Sequence, residues 1–220
     1  MPNKPISASG RRSSIVLAIV MLGTMMGALD STIVLLAFPV INDSLHSDLA
    51  TSLWIILAYL LVIAVVTTQM GRIGDIYGRS RIFNVGFVIF TVGSALCGLS
   101  PHIYSLIAFR GVQAAGGAIM QATSGAIIAD YFPREKRGRA YGYNSLGFTS
   151  GAMLGIVLGG IITTFISWQY IFFINIPIGV MAVIAGTKYL KDAERTSAKL
   201  DLGWHGTARN GVSAAILWAG

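Results

Sequence analysis

SLWIILAYLLVIAVVTTQMG, residues 52–71, carries no charged side chain and no proline. A hydrocarbon core about 30 Å thick takes roughly 20 apolar residues of α-helix, so this stretch is long enough to cross a bilayer. It lacks the period-two alternation of a strand, and in lipid a helix satisfies its own backbone hydrogen bonds. Working outward, blocks 14–41, 82–99, 103–129, 139–162 and 170–190 are likewise long, mainly apolar runs with few interior prolines. Ser100 and Pro101 mark a tight turn after the third block. The chain reads as an all-α membrane protein, a bundle of six transmembrane helices.

Composition supports this. Of 220 residues, 54% are hydrophobic and only 11% charged, where a soluble domain carries about a quarter charged residues. The 26 glycines suit helices packed closely in lipid. A single cysteine, Cys97, excludes an intrachain disulfide and reads as a small packed apolar side chain. The net charge of +7 is a topology signal and not a nucleic-acid footprint. Fifteen of the sixteen basic residues fall before span one, between spans two and three, between spans four and five, or at and beyond the end of span six. The opposite loops, 42–51, 100–102 and 163–169, carry none. This bias places the N-terminus in the cytoplasm of a cell with a cytoplasmic (inner) membrane. Residues 1–13 then form a cytoplasmic tail, 14–190 the six-span bundle, and 191–205 a cytoplasmic connector. Residues 206–220 read as the start of a further, truncated helix. A cleaved signal peptide does not fit, because no small-residue cleavage site appears and the apolar character runs past Asp30.

Two charges lie inside spans. Asp30 sits roughly 16 Å below the outer end of span one and Arg110 roughly 12 Å below that of span four, at 1.5 Å per residue. Ionised groups at that depth are costly unless paired or hydrated, so each is the natural partner of the other in one polar cavity. The bland alternative makes Asp30 a capping residue, with Ser31 and Thr32, at a helix break. Arg110, Gln113, Gly117 and Gln121 recur at steps of three and four, on one helical face. The two glutamines either line an aqueous path or bond to a neighbouring helix.

Gly147, Gly151, Gly155 and Gly159 repeat every fourth residue in span five, leaving a groove for another backbone. GRIGDIYGRSR, residues 71–81, reads as a tight cytoplasmic turn with Gly71, Gly74 and Gly78. In it Asp75 is spaced to pair with Arg79, while Asp130 and Glu135 face the same surface. No phosphate-binding Gly-x-x-x-x-Gly-Lys-Ser/Thr loop and no nucleophile–base arrangement is present, so enzymatic activity has no support. His46, His102 and His205 lack metal-ligand spacing, and neither metal nor cofactor is expected.

In these residues the chain resembles the major facilitator superfamily, specifically its drug:proton antiporters with fourteen spans. GRIGDIYGRSR resembles the loop between spans two and three, with Ile76 and Ser80 where basic residues are usual. LDSTIVLLAFP, residues 29–39, looks like the span-one motif, with Leu35 in place of asparagine. FRGVQAAGGA, residues 109–118, is similar to the span-four motif, with Ala114 where glycine is common. Gly142, Gly151, Gly155, Gly159 and Gly160 follow the antiporter motif of span five, although Ile156 stands where it has proline. WQYIFFINIPIG, residues 168–179, looks like the start of span six.

The resemblance implies the N-terminal half of a transporter that works by alternating access. It implies efflux of drugs or other hydrophobic small molecules in exchange for protons, with Arg110 and Asp30 in the coupling. It also implies that Asp75 latches against a second half, which leaves a C-terminal half or a second copy as partner, beside the bilayer, protons and substrate. Two alternatives stand: a non-transporting fragment or helix-binding scaffold using the span-five groove, and a metabolite:proton symporter.

Overall fold

The computed structural model describes residues 10–191, so the connector beyond Lys191 and the stretch 206–220 lie outside the described residues. Seven helical segments follow one another: α1 Gly10–Ser44, α2 Leu49–Tyr77, α3 Arg79–Gly98, α4 Ile103–Tyr131, α5 Arg134–Phe165, α6 Tyr170–Phe173 and α7 Asn175–Tyr189. No strand occurs among the described residues. Together α6 and α7 form one crossing, and six helices are long and apolar enough to span a membrane. Segments α6 and α7 are separated by Ile174, whose backbone stays helical at φ −60° and ψ −27°. Pro177 loosens this turn, since it has no N–H to donate to the carbonyl of Phe173 four residues earlier. By contrast α5, with Ile156 where the antiporter motif has proline, runs unbroken.

Short caps set the turns at one end of the bundle. Asp48 accepts the Thr51 backbone N–H at 2.9 Å, and this bond holds its carboxyl below the ordinary value. His102 and Ser105 form a capping box at the start of α4, so exposed His102 has a structural role. At the other end the helices outrun the apolar blocks, because backbone hydrogen bonding is indifferent to the polarity of side chains projecting beyond the hydrocarbon. Residues 10–13, expected in a tail, already belong to α1. Residues 71–77, expected in a turn, are the last two turns of α2. The turn itself shrinks to Gly78, whose φ of 104° is open to glycine and strained for other residues.

Helix α1 packs chiefly on α5, while α4 packs on both α3 and α2. The row Gly147, Gly151, Gly155 and Gly159 meets α1 directly. A Cβ on Gly147 would lie 3.0 Å from the Met21 carbonyl oxygen, one on Gly155 2.7 Å from that of Leu29, and one on Gly151 would overlap that of Met25. Gly142 and Gly160 do not join this surface, and a Cβ on either meets nothing within 4 Å. The reason is angular: each lies off the every-fourth-residue row that faces α1. A second close crossing, α3 on α4, uses Gly86, Gly93 and Gly116, where a Cβ on Gly93 would lie 2.6 Å from the Gln113 Cα.

Two apolar clusters fill the bundle. One gathers Phe83, Phe87, Phe90, Met120 and Ile127, the other Leu29, Ile33, Ile55, Leu106, Trp168 and Phe172. Between them lie the buried polar residues Thr91 and Ser94 of α3 and Arg110 and Gln113 of α4.

Candidate functional site

Helix α4 is the most enclosed span, with 56% of its apolar window buried against 17% for α2, and it carries the guanidinium into the bundle's centre. Arg110 is 1% exposed and Asp30, opposite on α1, is 0% exposed. Arg110 Nη1 donates to Asp30 Oδ2 at 2.6 Å, forming the ion pair that their similar depth suggested. The same nitrogen donates to Gln113 Oε1 at 2.7 Å. Gln113 Nε2 donates at 2.7 Å to the other oxygen of Asp30 and at 2.6 Å to Ser94 Oγ on α3. Arg110 Nε reaches the Ile55 carbonyl of α2 at 3.4 Å, and Asn175 Nδ2 of α7 reaches Asp30 Oδ1 at 3.4 Å. The guanidinium carbon stands 3.9 Å from the centre of the Tyr59 ring and 5.9 Å from that of Phe172. Cys97, read from sequence as apolar filler, donates its thiol to Gln113 Oε1 at 3.7 Å.

The physical logic is compensation. Taking either charge alone out of water costs several kcal/mol even after relaxation, and pairing repays that only when the remaining donors and acceptors are also satisfied. Here both carboxylate oxygens accept bonds, and a glutamine bridges the two ions. The pair is closed off inside the bundle, and does not line an open surface of the described residues.

Gln121 is not part of this cluster; it is exposed. It shares the helical face of Arg110, but eleven residues at 1.5 Å put it about 16 Å further along α4, out of reach of the ion pair. Sequence reasoning missed Ser94, Asn175 and Tyr59. Asn175 gave a usable signal, being an amide inside an apolar block.

A second charged cluster sits at the α2–α3 turn. Arg79 donates through Nε to Asp75 Oδ1 and through Nη1 to Asp130 Oδ1 on α4, each at 2.7 Å. Gly74 lets α2 approach α4, since a Cβ there would lie 2.8 Å from Thr123 Cγ2, whereas Gly71 faces open space. Nearby, the Tyr131 hydroxyl donates to the Lys191 carbonyl and accepts from its N–H, both at 2.8 Å, tying the chain's exit from α7 to α4.

The family model of the Major Facilitator Superfamily matches residues 20–214. The chain belongs to that superfamily. As a multi-pass membrane chain of this superfamily it groups with transporters. A riboflavin transporter of Clostridioides difficile is 39% identical over 176 residues, covering 80% of this chain and 39% of the relative. Multidrug resistance protein 3 of Bacillus subtilis is 37% identical over 198 residues, covering 90% and 38%. The tetracenomycin C resistance and export protein of Streptomyces glaucescens is 38% identical over 185 residues, covering 83% and 34%. The chain thus spans less than two-fifths of each of these relatives. Among solved structures, a bacterial homolog of the human lysosomal transporter Spinster superposes with a TM-score of 0.74 at 21% identity, covering 86% of this chain and 46% of that one. The proton:xylose symporter XylE gives 0.76 at 12% identity, covering 84% and 46%. These two likenesses show the fold of a half-transporter bundle.

Proposed function

We propose that this major facilitator chain is the N-terminal half of a fourteen-span drug:proton antiporter, exporting hydrophobic small molecules across the cell membrane with its N-terminus in the cytoplasm. The observation that carries the reading is the fully buried Asp30–Arg110 pair bridged by Gln113. A proton on Asp30 would neutralise one ion and leave the other without its counter-charge in a low-dielectric interior. The bundle then relaxes by rearranging, which is how proton entry is converted into a change of opening. Exposed Gln121 is assigned to the substrate path, outside the ion-pair cluster. Asp75, whose side chain is 58% exposed, is assigned to the latch against a second half or a second copy. The drug-resistance relatives support export.

The test is proton-gradient-driven dye transport in everted vesicles carrying this chain together with whatever half is encoded downstream. Asp30→Asn is expected to abolish the proton-driven component while the chain still inserts. Undiminished transport by that variant discards the coupling role.

A second reading is proton-coupled uptake of a metabolite. The riboflavin transporter relative and Ile156 in place of the motif's proline favour it. The sign of the pH change inside vesicles on adding substrate, riboflavin included, separates the two directions.

A further inference from the structure

Asn175 is completely buried, its Nδ2 donates to Asp30 Oδ1 at 3.4 Å, and its Oδ1 is enclosed with no hydrogen-bond partner. Buried polar atoms are ordinarily bonded, so an orphan acceptor on a side chain that already touches the central carboxylate calls for a donor. The surrounding groups offer little choice. Arg110 from α4 is committed to Asp30 and Gln113, and the Cys97 thiol from α3 points to Gln113. Tyr59 from α2 holds its ring against the guanidinium, and its hydroxyl makes no bond to Asn175. The donor that the site can create for itself is Asp30 once it is protonated.

We propose that Asn175 is the positioning residue that registers the protonation state of Asp30. This rests on the reading of the Asp30–Arg110 pair as proton-linked. With Asp30 ionised, the amide presents its N–H to the carboxylate. With Asp30 protonated, the carboxyl becomes a donor. A half-turn about the Cβ–Cγ bond of Asn175 then brings the unmatched Oδ1 to the carboxyl proton and moves Nδ2 to the place it left, with almost no change in shape. Asn175 is also the first residue of α7, immediately after Ile174. The reorientation therefore acts two residues before Pro177, which cannot donate a backbone bond to the Phe173 carbonyl.

The experiment uses the full 220-residue chain in lipid nanodiscs. Infrared difference spectra through a pH series read the carboxyl C=O stretch of protonated Asp30, assigned by its loss in Asp30→Asn. Solid-state NMR of chain labelled with carbon-13 in the asparagine side-chain carbonyl reads the amide, its signal assigned by loss in Asn175→Ser. The expected result is that the Asn175 signal shifts over the pH range in which the Asp30 band appears. In Asn175→Leu the band should move to higher frequency, because the carboxyl has lost its acceptor. An Asp30 band that appears while the Asn175 signal stays fixed overturns this inference and leaves the proton-linked pair standing. A band absent at every pH overturns both. If Asn175→Leu does not insert, the NMR shift in the unmodified chain decides the matter alone.

Discussion

Removing one partner from a buried ion pair is worse than removing both, because the survivor is left charged in an apolar interior. Arg110→Ala should therefore destabilise the bundle by about 3–5 kcal/mol, by stranding the carboxylate of Asp30. The double variant Asp30→Asn, Arg110→Gln, which keeps hydrogen-bonding groups and carries no charge, should recover most of that loss. Thermal unfolding in detergent measures both, and a double variant no more stable than Arg110→Ala would show that the two charges are not coupled. At this scale the charges were legible in the sequence, since a lone ion in hydrocarbon demands a counter-ion and only two candidates share that depth. Ser94 and Tyr59 were not legible. A serine or tyrosine in an apolar block is ordinary until the facing helix is known, and Ser94 matters only because Gln113 Nε2 arrives 2.6 Å away.

Among elements, the α1–α5 contact is governed by a row of missing side chains. Gly151→Ala would drive a methyl group into the Met25 carbonyl, which is backbone and cannot swing aside. A loss on the order of 1–3 kcal/mol is expected, of the size seen for overpacked cores. Gly160→Ala meets open space and should be neutral, or stabilising by up to about 1 kcal/mol through better helix propensity. Comparing their melting temperatures and monodispersity in detergent tests the assignment, and equal effects would refute it. The existence of six spans and the Gly147–Gly159 row followed from spacing alone. Helix ends did not, because hydropathy marks where the lipid stops and not where backbone bonding stops. The equally close α3–α4 crossing through Gly86, Gly93 and Gly116 went unmarked for lack of a regular four-residue repeat.

For the whole molecule, the arrangement of basic residues makes a prediction about sidedness. With Cys97→Ser as background, which keeps a donor toward Gln113, His46→Cys lies in the α1–α2 turn and Lys136→Cys in the first turn of α5, at opposite ends of the bundle. A membrane-impermeant maleimide should label His46→Cys in intact cells and Lys136→Cys only after the membrane is opened. The reverse pattern would invert the topology and with it the direction proposed for the Asp75 latch.

The amino-acid order by itself determined the solvent, the number of crossings and the two groups that must meet inside. Those follow from transfer free energies, which are properties of single residues and of their spacing along one helix. Tertiary structure alone decided that the pair is buried inside the bundle, that Gln121 stands apart, and that Asn175 arrives from α7 with an unmatched carbonyl. Each of these depends on which helical faces touch, and that is a property of the packed bundle that no single segment encodes.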